Sequence, residues 1–160
     1  MPDGDKADSV YERDFCAWAG AQAAALRAAR DAVAGSGVSA LDALDWDNLA
    51  EEIEALAQRD RRELASLIAL VVEHLTKLTY SPASSPRVGW LETIGRARGE
   101  IEDLLGASPS LRREVPQILS RVAPRALDMQ CEPEQVLGDW FPDAQPIPPP
   151  ARRRARRKSS

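Results

Sequence analysis

Glu52, Asp60, Glu63 and His74 are the residues of this 160-residue chain whose types and spacing suit chemistry. Three carboxylates and an imidazole on one helix face could move protons or hold a divalent cation. On a helical wheel with Leu49 at zero, an unbroken helix puts Asp60, Glu63 and His74 in one arc with Ile53, Leu56, Leu67, Val71 and Leu78. That arc spans about 40° either side of Leu49, and Glu52 sits at its edge. Glu51 and Glu54 point away. Charges on an apolar face are costly to bury unless paired. Arg62, adjacent in sequence, and Arg98, flanking the stripe of a later helix, are the natural counterions. The expected arrangement is a structural polar network of Glu52, Asp60, Arg62, Glu63, His74 and Arg98 that fixes helix register, with His74 a hydrogen-bonded core residue.

A catalytic use of the same residues is poorly supported. Carboxylate-bridged metal bundles place a Glu-x-x-His pair on each of two helices. Here Val71 stands three before His74, and the chain has a single histidine. No motif ties a Ser or Cys to His74. Cys16 and Cys131 form no CxxC pair, and Cys16 falls off the apolar stripe of its helix without a neighbouring base. The expectation is no catalytic residue, no metal and no cofactor. Unpaired cysteines and a polar N-terminus without an apolar leader point to a reduced, cytoplasmic protein. The longest apolar run, residues 67–72, is far short of the ~20 residues that span a bilayer, so no membrane span is expected.

The elements that position these residues read as helices. No proline falls between Pro2 and Pro82. Ser9-Val10-Tyr11-Glu12 resembles a capping box, followed by Tyr11, Phe15, Trp18, Ala25, Leu26, Ala29 and Val33 at helical spacing, up to Gly35-Ser36-Gly37. Asp45 caps a second region, with Trp46 stapling its entry. Its stripe of Leu49, Ile53 and Leu56 continues through Leu64, Leu67, Ile68, Val71, Leu75 and Leu78. It is one long helix or two joined near residues 58–60, ending before Ser81-Pro82. Ser84-Ser85-Pro86 opens a third helix carrying Trp90, Ile94, Ala97, Ile101, Leu104 and Leu105, closed by Gly106. Ser108 as cap with Pro109 behind it opens a fourth, kinked or split by Pro116 and Pro124. A short element follows around residues 133–137. No alternating pattern, hairpin turn or repeat is present. The fold class is all-α: an antiparallel bundle of four to five helices over residues 9–142, with residues 1–8 disordered and a disordered basic C-terminal tail.

Composition, at 44% hydrophobic and 29% charged, fits a globular chain. The net charge of −4 conceals a division. Residues 151–160 hold six of the 21 Lys and Arg and no acid, leaving the first 150 residues with 15 bases against 25 acids, a net −10. Residues 143–150 form a proline-rich spacer ahead of Arg152, Arg153, Arg154, Arg156, Arg157 and Lys158. Such an arm attracts phosphates or an acidic protein surface, and the absence of aromatics among its arginines argues against base stacking.

Several segments together resemble the bacterial domain-of-unknown-function family 29. They are Tyr11-Glu12-Arg13-Asp14-Phe15-Cys16-Ala17-Trp18, then Leu44-Asp45-Trp46-Asp47-Asn48-Leu49-Ala50-Glu51-Glu52-Ile53-Glu54, then Arg61-Arg62-Glu63-Leu64 and His74-Leu75-Thr76-Lys77. Trp90, Ile94, Arg98 and Ile101 continue the likeness. So do Ser108-Pro109-Ser110-Leu111 and Glu134-Gln135-Val136-Leu137 with Trp140 and Pro142. The resemblance covers residues 9–142 and implies an all-helical bacterial domain. It brings no activity, cofactor or catalytic residue. Ala57 stands where the family usually has glycine, which favours a continuous second helix. Pro116 and Pro124 interrupt a helix that normally runs on, and the basic tail lies outside the likeness.

The functional expectation is a non-enzymatic helical interaction module that binds a protein partner, with the basic arm adding electrostatic attachment. The alternative is a nucleic-acid-associated, antitoxin-like regulator that uses the arm. An enzyme with a carboxylate and histidine site is the weakest of the three.

Overall fold

The structure, a computed structural model, describes residues 9–35, 41, 43–83, 85–122 and 131–143. Ser9 starts α1 (Val10–Arg13), its hydroxyl accepting the Glu12 N–H at 3.4 Å. The single first helix expected from the aromatic spacing is two. The chain breaks at Asp14, whose carboxylate accepts the Ala17 N–H at 2.9 Å and so N-caps α2 (Phe15–Val33). An aspartate that caps must leave helical geometry, and Asp14 does so with φ −158° and ψ 89°. The aromatic residues still meet across the break: the ring of Tyr11 lies edge-on to Trp18 at 4.8 Å and to Phe15 at 5.8 Å. α2 stops at Ala34, and Gly35 follows with φ +78°, a conformation glycine adopts without strain.

The second region is one helix, α3 (Trp46–Tyr80), running 35 residues without a break at residues 58–60. Asp45 caps it as expected, accepting the Asn48 N–H at 3.2 Å, and the Trp46 indole donates to the Leu41 carbonyl at 3.1 Å. α4 (Arg87–Ala107) returns after a short loop. A 3-10 segment (Pro109–Glu114) then leads into α5 (Val115–Val122), so Pro116 sits in a first turn rather than inside a longer helix. Pro124 lies outside the described residues. α6 (Pro133–Leu137) is fastened by a capping box between Glu132 and Gln135. A Cβ added at Gly138 would stand 2.6 Å from the Glu134 carbonyl oxygen, so the chain turns off α6 where only glycine fits.

α3 is the axis of the fold. α2 packs along its first half, and α4 along its second. The ion pairs Arg27–Glu54, at 2.7 Å, and Arg30–Asp47 show that α2 and α3 run antiparallel. The 3-10 segment packs on α4 and α2, α5 on α3, and α6 on both α3 and α4. The core there is aliphatic: Leu64, Ile68, Val71, Val72, Leu75, Ile94, Ile101, Leu111, Val115, Ile118 and Val136 are fully buried. Each such side chain stabilises the fold by about 1.5–3 kcal/mol.

The α2–α3 seam is made of small residues instead. Ala19 and Ala23 of α2 and Ala50 and Ala57 of α3 are buried, and Cys16 is buried with Ala19 and Ala57 rather than off the stripe. Leu49 and Leu56, expected in the core, are 42% and 46% exposed. The buried face of α3 is centred about 70° round the wheel from Leu49, on the alanines. Among the described residues there are helices and no strand, so the fold is all-α. No helix among them is long and apolar enough to cross a membrane.

Candidate functional site

The same rotation of the wheel relocates the residues singled out for chemistry. Glu52, Arg62 and Glu63 are exposed, while Asp60, His74 and Arg98 are half-buried. Among the described residues no ion pair links Glu52, Asp60 or Glu63 to Arg62 or Arg98. Asp60 accepts from the Cys16 thiol at 3.8 Å. The Nδ1 of His74 lies 2.9 Å from the Leu70 carbonyl of its own helix, a contact that places the ring hydrogen on that nitrogen. No three His, Cys, Asp or Glu side chains among the described residues converge as a metal site requires.

Arg98 works on the backbone rather than on carboxylates. Its guanidinium donates to the carbonyls of Val136 at 3.0 Å, Gln135 at 2.7 Å and Trp140 at 2.7 Å, and lies 4.8 Å from the centre of the Phe141 ring. The first two lie in the last turn of α6, where carbonyls have no intrahelical partner, and the third lies just beyond it. One planar fork with five N–H groups is suited to collecting them. Burial lowers the Arg98 pKa, opposed by the charge of Asp139.

The polar work that the sequence pattern assigned to Arg62 falls to its neighbour. Arg61 pairs with Glu114 at 2.9 Å, both side chains about one-third exposed, and ties the middle of α3 to the 3-10 segment. A second tie lies beside it. Ser110 donates both its N–H, at 2.7 Å, and its hydroxyl, at 2.8 Å, to the carboxylate of Asp14. Ser108, read as the cap of its own helix, instead accepts the Cys16 N–H at 3.1 Å. Asp14 and Ser108 thus share the free N–H groups that open α2. Burial pushes the Asp14 pKa up, but hydrogen bonds from Ala17 and Ser110, with Arg113 nearby, hold it below the ordinary carboxylate value. Cys16 goes the other way. Burial raises its thiol pKa against the Ser108 hydrogen bond, with the Asp60 charge adding to the rise, so the thiolate a nucleophile needs is disfavoured. Burial likewise raises Cys131.

Two clefts open on either side of the Arg61–Glu114 bridge. One, of about 310 Å³, is lined by Gln58, Arg62, Ala65, Gln117, Ile118 and Arg121 along with the bridge itself. The other, of about 510 Å³, lies between the small residues Cys16, Ala17, Gly20 and Ala21 of α2 and the side chains of Ser110 and Arg113. Arginines from α3, the 3-10 segment and α5 therefore converge on one part of the surface. The spacing along α3 points to Arg62 alone; Arg113 and Arg121 become its neighbours only through the turn at Ser108. A separate apolar groove of about 480 Å³ runs between Val72, Thr76 and Val122. Arg152, Arg153, Arg154, Arg156, Arg157 and Lys158 lie outside the described residues, as does most of the spacer before them.

Several residues of the segments that carry the family likeness make these ties: Asp14 and Cys16 at one end, Ser108 and Ser110 at the other, and Arg98 on the backbone around Trp140. The chain is similar in fold to an alpha-helical protein of unknown function from Rhodospirillum rubrum. The two share 24% identity with a TM-score of 0.58, and the match covers 84% of this chain and 92% of that one. No curated protein matches the chain. The family described as domain of unknown function DUF29 matches residues 10–150. With nearly its whole length spanned by that match, the chain belongs to the DUF29 family.

Proposed function

We propose that the protein is a non-catalytic helical interaction module that docks a partner protein along the outer face of the first half of α3. The observation that carries this reading is the band of Leu44, Leu49 and Leu56, each more than two-fifths exposed, beside a helix pair whose own seam is filled by alanines. Leu49, Ile53 and Leu56 keep the 4-3 spacing that receives an apolar ridge of another helix. Asp45, Glu52 and Glu63 lie on the same side of the helix. These acids disfavour a second copy of the same face and favour an amphipathic helix with basic flanks. The basic arm of residues 151–160 adds electrostatic attachment to an acidic part of the same assembly. Two cysteines without a disulfide fit a reducing compartment such as the cytoplasm.

Affinity capture from native lysate with full-length protein, compared with the L49E/L56E variant, tests this. A partner retained by the wild type and lost by the variant, at unchanged helicity, supports the reading. Capture that is absent, or indifferent to both substitutions, overturns it.

A further inference from the structure

We infer that the two clefts flanking the Arg61–Glu114 bridge form one site for an extended acidic peptide segment, with Arg62, Arg113 and Arg121 as its anchoring cations. This surface is distinct from the leucine band and carries opposite chemistry.

Charge favours an anionic occupant. The first 150 residues carry a net −10, yet three elements direct arginines at the same pair of clefts. Arg61 is already matched by Glu114. Among the described residues, the Arg62 and Arg113 side chains have no hydrogen-bonded partner. Arg121 gives only its Nε, to the Gln117 carbonyl at 3.4 Å. Asp14 lies near Arg113, but its carboxylate is already taken by Ala17 and Ser110. Guanidinium forks gathered in this way match carboxylates bidentately.

Shape and lining favour an extended main chain. The clefts lie side by side across a single ion pair, which suits a chain running over the bridge with anionic groups on both sides. Their floors are Ala65 and Ile118 on one side and small α2 residues on the other. A Cβ built on Gly20 meets nothing within 4 Å, so that wall leaves room for a main chain. Gln58 offers an amide to hydrogen-bond it. Neither cleft contains an aromatic ring to stack a nucleobase, which favours peptide over nucleic acid.

The test measures fluorescence anisotropy of a labelled peptide of Glu-Glu-Leu repeats with the full chain, using a Lys-Lys-Leu peptide and a single-stranded oligonucleotide as comparisons. The basic tail attracts any polyanion, so the decisive arm is the R62A/R113A variant, in which the tail is intact. Wild type binds the acidic peptide and not the basic one, and R62A/R113A weakens that binding by about tenfold or more. An R62K/R113K variant, which keeps the charge but loses the fork, falls between the two. Thermal melts of all variants match wild type. L49E/L56E leaves peptide binding unchanged, so failure of this site and failure of the proposed partner face are distinguishable. Peptide binding that survives R62A/R113A overturns the proposal. So does an oligonucleotide that competes more strongly and loses its own binding in that variant.

Discussion

Asp14 and Ser110 stand ninety-six residues apart in the chain, and the Asp14 carboxylate accepts both the main-chain N–H and the hydroxyl of Ser110. The same carboxylate caps α2 through Ala17. One side chain thus sets where the second helix begins and where the 3-10 segment lies against it. Asp14→Ala removes both functions and is expected to cost about 2–4 kcal/mol, read from chemical denaturation followed by circular dichroism. Asp14→Asn keeps an acceptor and costs less. A double-mutant cycle with Ser110→Ala gives a coupling of about 1 kcal/mol or more.

The Asp14 hydrogen bonds also set a pH dependence. Its pKa is lower in the folded protein than in the unfolded chain. The stability it contributes is therefore complete above the unfolded value and is lost as pH falls through the depressed folded one. Melting temperatures of wild type and Asp14→Asn, measured from neutral to strongly acidic pH, should converge at the acid end. A gap of constant size would contradict the assignment.

Arg98→Ala leaves three carbonyls around the end of α6 without their donor, and takes the cation from the Phe141 ring. The expected loss is about 2–3 kcal/mol. Hydrogen exchange locates it, with the amides of α6 losing protection while those of α3 keep theirs. Arg98→Lys does not restore the wild-type behaviour, because an ammonium cannot reach three carbonyls in one plane.

Ala57→Leu tests the seam between α2 and α3. Ala57 is buried against a helix whose facing residues are Cys16 and Ala19. A leucine there has no space and should cost about 1–3 kcal/mol. Ala55→Leu, at an exposed position of the same helix, should be neutral in the same melts.

Cys16 is buried, with its main-chain N–H held by the Ser108 hydroxyl, and burial raises the pKa of its thiol. Under native conditions near neutral pH, a thiol reagent should reach Cys16 only as fast as the local structure opens, and Ser108→Ala should accelerate that reaction. Rapid labelling of Cys16 in the wild type would contradict this protection.

Ends of helices were far more legible in the sequence than their faces. Ser9, Asp45, Gly35 and Ser81-Pro82 mark boundaries through local chemistry, and each stands where its side chain or backbone preference places it. Alanine at position 57 correctly favoured one long helix. The apolar pattern of α3 marks Leu49 and Leu56 as its buried face, whereas the buried positions facing α2 are alanines. Alanine carries little weight in a hydrophobic pattern, yet it is the residue that lets two helices approach closely. The polar network fell with that choice, since Glu52, Glu63 and His74 share the side of Leu49. Asp14, Ser108 and Ser110 were visible only as local caps. Their partners lie across the fold, and no spacing rule connects positions so distant along the chain.

The hold of Arg98 on the Trp140 carbonyl has a mechanical meaning as well. The proline-rich stretch and its arginines follow this point in the sequence. Tension on the C-terminus therefore enters the body at one guanidinium in the middle of α4, before it loads any core side chain. The hydrogen bonds from Arg98 to the residues around α6 thus stand between such a pull and the packed helices behind them.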